Sequence, residues 1–285
     1  SSGFTGLGAE AVTLSDTSLA DVAALNTLNG YTTGNINADT VTTLTGSISD
    51  LNTAYAAVSA LGNGISNLGN EAVTVSDTGT ITDLTALTTL NGYTSGTVNA
   101  DAVAGFSGTI AALNTMYEGA VTSGNGITNI GDKAVAITDT TVSDASALNT
   151  LNGYTTGVVT ASTVQALTGT AIVLNTLLTA GNDTNQFSSD SFASLATATL
   201  SDSTLSVTHL NGAIGAANTA TGATSTVFSL SDGATINGGA ESAFTTLLGF
   251  ETAGQIIITD QNITVDSGTV SVDNANLLDA TTTGI

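Results

Sequence analysis

Short β-branched runs alternate along this chain with segments framed by helix-start and helix-stop residues. Val12 to Leu14 and Asn35 to Asn37 are two such runs, and each reads as a short strand. Ser18, Thr80 and Thr141 are followed three residues later by Asp21, Asp83 and Asp144. A hydroxyl that accepts an orphan amide hydrogen bond, with a carboxylate in the first turn, predicts a helix start. Helices of about ten residues should follow, stopping at Gly30, Gly92 and Gly153, where a left-handed C-cap is wanted after Asn29, Asn91 and Asn152. A second kind of segment sets Gly46, Gly108 and Gly169 before Ser47, Thr109 and Thr170. It continues as LNTAY (Leu51 to Tyr55), LNTMY (Leu113 to Tyr117) and LNTLL (Leu174 to Leu178), and a second short helix is predicted there.

The segments repeat. AVTLSD at Ala11 to Asp16 returns as AVTVSD at Ala72 to Asp77 and AVAITD at Ala134 to Asp139, while LNGYT begins at Leu28, Leu90 and Leu151. The period is 61 to 62 residues, and a GNGI(S/T)N(L/I)G link runs Gly62 to Gly69 and Gly124 to Gly131 in the same phase. The six hydroxyl residues at the expected helix starts are spaced 29, 33, 29, 32 and 29 apart, so each period holds two alternating units. A unit of about 31 residues is too short for a closed (β/α) barrel with longer elements and predicts an α/β solenoid. Strand and short-helix units would stack with a parallel sheet along one face, neighbouring strands about 4.8 Å apart. The alternative is an all-β solenoid, because Thr and Asn are poor helix formers.

Residues 1–180 are read as the tandem-repeat solenoid, with double repeats starting near 11, 72 and 134, and residues 181–285 as degenerate repeats ending in a β-rich cap or assembly region. A fourth copy is traceable at Thr199 to Asn211, and SLSDG at Ser229 to Gly233 precedes a helix-like GAESAFTTLLG from Gly239 to Gly249. The alternation in Gln255 to Val272 predicts two or three strands.

Composition narrows the functions. Among 285 residues there is one cation, Lys133, against 23 Asp plus Glu, a net charge of −22. Such a balance excludes nucleic acid and anionic membrane surfaces as partners, since both require clusters of Lys and Arg. Only 8% of residues are charged while 41% are hydrophobic, which is unlike the signature of disorder. With 4% aromatics, burial must come from many small Val, Ile, Leu and Ala layers. No uninterrupted apolar stretch is long enough to span a bilayer. The chain carries no initiator Met, from which a processed start or a fragment is expected. Scarcity of tryptic sites and a polar, weakly charged surface point to a protease-exposed, extracellular or cell-surface setting.

Candidate chemistry is sparse. Asp16, Asp77, Asp139, Asp202, Asp232 and Asp260 each follow a Ser or Thr at the end of an expected strand. Stacked in a solenoid they form a candidate Ca²⁺ row, calcium wanting six to eight oxygens; without metal, each Asp caps the following turn or helix. No EF-hand loop or GGxGxD array accompanies them, and no cofactor is required. His209 is the sole histidine and lies in a degenerate copy, so no Ser/His/Asp relay is expected, and neither a phosphate loop, an HExxH nor a Cys cluster occurs. The chain is therefore read as not an enzyme. Lys133 occupies the repeat position of Glu10 and Glu71 and is expected to pair with a near acid such as Asp132 or Asp139. Asn52, Asn114 and Asn175, with Asn29, Asn91 and Asn152, are read as ladders bonding backbone groups at corners. Tyr31, Tyr93 and Tyr154 are expected to stack on one face, as packing aromatics or as a carbohydrate platform.

The residues AVTLSDTSLADVAALNTLNGYTTG and TLTGSISDLNTAY resemble the LSDT…LNTL…TTG repeats of large surface and adhesin-type proteins of bacteria, especially marine cyanobacteria, and of structural proteins of their phages. The resemblance covers about Gly6 to Thr179 and carries no catalytic residues. It implies an extracellular or virion-surface structural role. The expected function is a self-associating filament, matrix or surface-layer protein, extended end to end because no charged cap precedes Phe4. The alternative is an adhesin or phage fibre segment that binds glycans or a cell surface.

Overall fold

A computed structural model describes residues 7–58, 64–122, 126–221, 226–266 and 270–282. Phe4 and parts of the two GNGI links lie outside them. Two compact units, Ser1–Ala134 and Val135–Ile285, divide the chain.

In the first unit short strands and helices succeed one another as β1 (Val12–Thr13), β2 (Ser18–Leu19), α1 (Val22–Tyr31), β3 (Asn35–Asn37), β4 (Thr43–Gly46), α2 (Ile48–Ala56), β5 (Gly64–Ser66), β6 (Ala72–Val75), β7 (Thr80–Ile81), α3 (Leu84–Tyr93), β8 (Val98–Asn99), β9 (Gly105–Gly108), α4 (Ile110–Thr122) and β10 (Ile127–Thr128). The second continues with β11 (Ala134–Ile137), β12 (Thr141–Val142), α5 (Ala145–Tyr154), β13 (Val159–Thr160), β14 (Ala166–Gly169), α6 (Ala171–Gly181), β15 (Thr197–Leu200), β16 (Thr204–Ser206), α7 (Val207–Thr221), β17 (Val227–Ser229), β18 (Thr235–Asn237), α8 (Glu241–Thr252), β19 (Asn262–Thr264) and α9 (Val272–Thr281). The protein is thus α/β, and the all-β alternative is set aside by helices in both units. Among the described residues no sheet closes into a barrel.

Every strand pairs in parallel with a counterpart one strand–helix layer away. Leu44, Val73, Val98 and Ile127 stand in one register across β4, β6, β8 and β10, all buried, and their outward neighbours Thr45, Thr74, Asn99 and Thr128 form the next row. Val142, Leu167, Ala198 and Phe228 align likewise in the second unit. Because side-chain period along a strand is two, a slip of one residue would exchange the apolar row for the hydroxyl row, so burial fixes the register. The alternating 29- and 33-residue spacing has a structural cause: β5, β6 and β7 precede α3, whereas only β3 and β4 precede α2. The GNGI link supplies the third strand.

Helix starts differ from expectation in half the cases. Ser47 and Thr170 cap α2 and α6 as predicted, accepting from the Asp50 and Val173 amides at 3.1 and 3.3 Å. Ser18, Thr80 and Thr141 instead lie in β2, β7 and β12, and the carboxylates of Asp21, Asp83 and Asp144 cap α1, α3 and α5. A charged acceptor at the positive helix end outcompetes a hydroxyl three residues upstream, leaving Ser18 to accept from Thr43 in the sheet at 2.7 Å.

Helix ends differ too. α1, α3 and α5 run past Gly30, Gly92 and Gly153 to the following Tyr, and none of these glycines is left-handed. An extended, buried Thr ends each: Thr32, Thr94 and Thr155 accept from the amides of Gly34, Gly96 and Gly157, each at 2.9 Å. Thr32 and Thr94 also donate to the Glu10 and Glu71 carbonyls at 2.7 Å. A Cβ on Gly34 or Gly96 would lie 2.2 or 2.1 Å from those same carbonyls, so the TxG triplet is a backbone clasp rather than a turn.

The Leu-Asn-Thr triplets, with Leu-Asn-Gly at 210–212 as a variant, divide three tasks. Leu25, Leu51, Leu148 and Leu210 are buried. Asn26, Asn52, Asn149 and Asn211 donate across to the carbonyls of Asp50, Ala86, Val173 and Ala243, in each case the third residue of the next helix. Thr27, Thr53 and Thr150 satisfy their hydroxyls on the carbonyl four residues back. The chain past Gly181, read as decayed repeat, contains an irregular stretch where Phe187 and Phe192 pack 5.4 Å apart, after which layers resume. In place of a β-rich terminus the end holds β19 and the helix α9, with residues 267–269 of the expected strands outside the description.

Gly46 tests the layer spacing, because a Cβ there would lie 2.3 Å from Val22 Cγ1, while one on Gly30 meets nothing within 4 Å. Gly46→Ala should lose about 1–3 kcal/mol and Gly30→Ala gain about 0.5–1 kcal/mol, read from urea unfolding midpoints.

Candidate functional site

The acidic row proves to be two different things. Asp77 Oδ2 accepts the Ile48 amide at 2.9 Å, and Asp202 Oδ2 the Ala171 amide at 2.7 Å. Each Asp therefore caps the first residue of the helix in the preceding layer, α2 and α6, beside the cap that helix already has. Asp260 receives a short hydrogen bond from Gln261, Asp16 and Asp232 are exposed, and Asp139 sits in the turn between β11 and β12. Among the described residues no group of three His, Cys, Asp or Glu side chains is arranged to hold a metal ion.

A more unusual carboxylate is Glu71. It is fully buried, with Oε2 accepting from the Tyr55 hydroxyl at 2.9 Å and the Gly69 amide at 2.8 Å, and Oε1 has no hydrogen-bond partner. Its repeat counterparts meet other fates: Glu10 is exposed, and Lys133 donates to the Asp101 carbonyl at 2.9 Å while standing 3.7 Å from Asp132, the expected acid. The Tyr55 ring in turn stacks on Tyr93 at 5.7 Å and 12°. The expected face of Tyr31, Tyr93 and Tyr154 is thus replaced, for Tyr93, by a partner on α2. Burial, followed by the neighbouring Glu71 carboxylate, pushes the Tyr55 phenol well above its ordinary ionisation.

Two Asn ladders hold the corners, at positions other than those expected. Asn67 and Asn129, both left-handed (φ 63° and 61°), donate to Asn37 and Asn99 Oδ1 at 2.7 and 2.8 Å, and the same oxygens accept the Asp39 and Asp101 amides. The signal was present in the GNGISN and GNGITN links, whose second Asn takes the αL conformation that Asn tolerates. Of the expected set, Asn52 bonds the neighbouring helix and Asn152 donates to Gln186. His209 is a half-buried residue of α7 between Val207 and Leu210.

Between α2 and α3 lies an open groove of about 740 Å³. Asn52, Thr53, Asp77, Asp83, Thr89 and Tyr93 line it. It brings together one Asp of the expected row and one Tyr of the expected platform with Asp83, which sequence had assigned only to a helix start. Among the described residues no helix is long and apolar enough to cross a membrane. No family model, curated protein or solved structure matches the chain.

With Asp77 and Asp202 each committing an oxygen to a cap, the melting temperature is expected to be the same in millimolar Ca²⁺ and in chelator. A rise of several degrees in Ca²⁺ would assign the row to metal.

For Tyr55 the sign is set by its raised folded-state ionisation. The unfolded chain releases the phenolic proton first, so stability is complete below the usual value of 10.0 and lost as pH rises past it. Melting temperature should fall as pH rises from about 10 to about 12, less steeply in Tyr55→Phe than in the wild type.

Proposed function

We propose that this is an extracellular structural repeat protein whose layers wind as an α/β solenoid and which associates with further copies of itself into a filament, matrix or surface layer. The carrying observation is that no described strand contains a charged residue or a proline, in a chain of net charge −22. Soluble sheet proteins guard their edges with charge, proline or bulges, because an unpaired strand edge templates another chain. Edge strands such as β2, two residues long, carry no charge of their own, and the hydroxyl and apolar rows they carry repeat in the same register from layer to layer.

Apolar exposure in the second unit supports the same reading. Ala145, Ala171 and Val207, the first residues of their helices, are at most 2% exposed, whereas Val272 at the start of α9 is 74% exposed. A further layer of the same kind covers such a position elsewhere in the unit. The role requires no catalytic group and no cofactor, and fits a cell-surface or virion-surface location.

Negative-stain microscopy and light scattering across a concentration series are expected to show linear growth. Ser18→Lys, which places a charge on the edge strand β2, should suppress it while leaving the melting temperature within a few degrees. Monodisperse wild-type particles at the highest concentration would sink the reading.

A further inference from the structure

The groove between α2 and α3 combines three features that the grooves between α3 and α4 and beside α6 lack together. Tyr93 lines it, 40% exposed, and its ring is held by the offset stack on Tyr55, itself fixed by the hydrogen bond to buried Glu71. Asp77 and Asp83 also line it. Each has one carboxylate oxygen engaged in a helix cap, Oδ2 of Asp77 on Ile48 and Oδ1 of Asp83 on Ala86, which fixes the plane of the carboxylate and presents the other oxygen. Asn52 is pinned by its bond to the Ala86 carbonyl, and threonine hydroxyls complete the wall.

Comparison within the molecule sharpens the point. The groove between α3 and α4 is lined by threonines, alanines and Leu84, with neither an aromatic ring nor an acid. The one beside α6 contains Asp183, but Asn185 and Gln186 occupy both its oxygens, and no aromatic side chain lines it. Where α7 packs on α6, a Cβ on Gly212 would lie 2.5 Å from Asn175 Oδ1, so the helices close on one another.

We propose that the α2–α3 groove is a binding site for a neutral oligosaccharide. A rigid aromatic ring offers a platform to the apolar face of a pyranose, while pre-oriented carboxylates and amides accept and donate to its hydroxyls. The groove's volume falls within the range of about 300–1,000 Å³ usual for small-molecule sites. Sign of charge selects within the class: two carboxylates and no cation in the lining repel phosphorylated, sulfated or uronic sugars. The site is tested separately from self-association: Thr80 and Ile81 of the strand β7 also line it, but the variants that probe it, at Asp83 and Tyr93, lie at the two ends of α3, whereas Ser18→Lys lies on β2.

The test is calorimetric titration of the intact chain, below its assembly concentration, with cellotetraose, xylotetraose, chitotetraose and mannotetraose, and with tetragalacturonate as the anionic counterpart. At least one neutral tetramer is expected to bind and tetragalacturonate not to. Asp83→Asn, which keeps an acceptor for the helix cap, should weaken binding about tenfold or more, the size of one lost charge-assisted hydrogen bond. Tyr93→Ala should abolish it, and Tyr93→Phe, which keeps the ring and its stack, should retain most of it. Tyr31→Ala, outside the groove, should change nothing. Failure of all four neutral sugars, preference for the anionic one, or equal binding by wild type, Asp83→Asn and Tyr93→Ala would overturn the proposal, and none of these outcomes bears on filament growth.

Discussion

Hydrogen bonding between successive layers is the constraint on which the rest depends. Strands of two to four residues bury too little to be stable singly, so each layer must hand its unsatisfied backbone groups to the next. Parallel pairing does this along the strands, and side chains do it wherever the chain turns. Thr32 and Thr94 reach back to a preceding strand's entry, Asn26 and Asn52 reach forward to the next helix, and Asp77 reaches back to a helix start. A buried polar group without a partner costs more than a satisfied one contributes, which is why the same few residue types recur at the same repeat positions. These repeated closures satisfy the backbone while the buried Val, Ile, Leu and Ala side chains of each layer supply the apolar interior.

This accounts for a composition that otherwise looks ill suited to folding. Thr is a mediocre helix former, yet the helical threonines Thr27, Thr53 and Thr150 bond the carbonyl four residues back. Asn does not favour a helix interior, yet here its amide joins two helices that have few large side chains to interlock. Residues that would weaken an isolated helix are stabilising once a second layer is present.

Much of the fold was therefore legible. The 61- to 62-residue period, the two alternating units and the strand–helix alternation all follow from self-comparison, and Ser47 and Thr170 cap where expected. What could not be read was any choice between two local acceptors settled by the neighbouring layer. Ser18 competes with Asp21 for a helix start, and the sheet claims Ser18. Gly30 looks like a helix stop, but Thr32 and Gly34 complete the stop because a carbonyl of another layer lies against Gly34. The candidate site divides similarly: Asp77 and Tyr93 stood out as repeated residues, whereas their juxtaposition with Asp83 depends on how α2 and α3 pack, which no spacing encodes. Nor did the repeat position shared by Glu10, Glu71 and Lys133 reveal that only Glu71 is buried.

Placement of charge connects these structural devices to the proposed roles. The acids sit in turns, caps and helices, never on a described strand, although Asp16 and Asp21 stand two residues to either side of β2. Repulsion between like charges is screened over about 8 Å at physiological ionic strength. In the proposed assembly such screening lessens the repulsion between acids that flank two strand edges, whereas an anionic ligand in the proposed α2–α3 site would meet Asp77 and Asp83 at contact distance. Screening would therefore act differently on the two proposed surfaces: it would ease edge pairing and leave the selectivity of the groove intact.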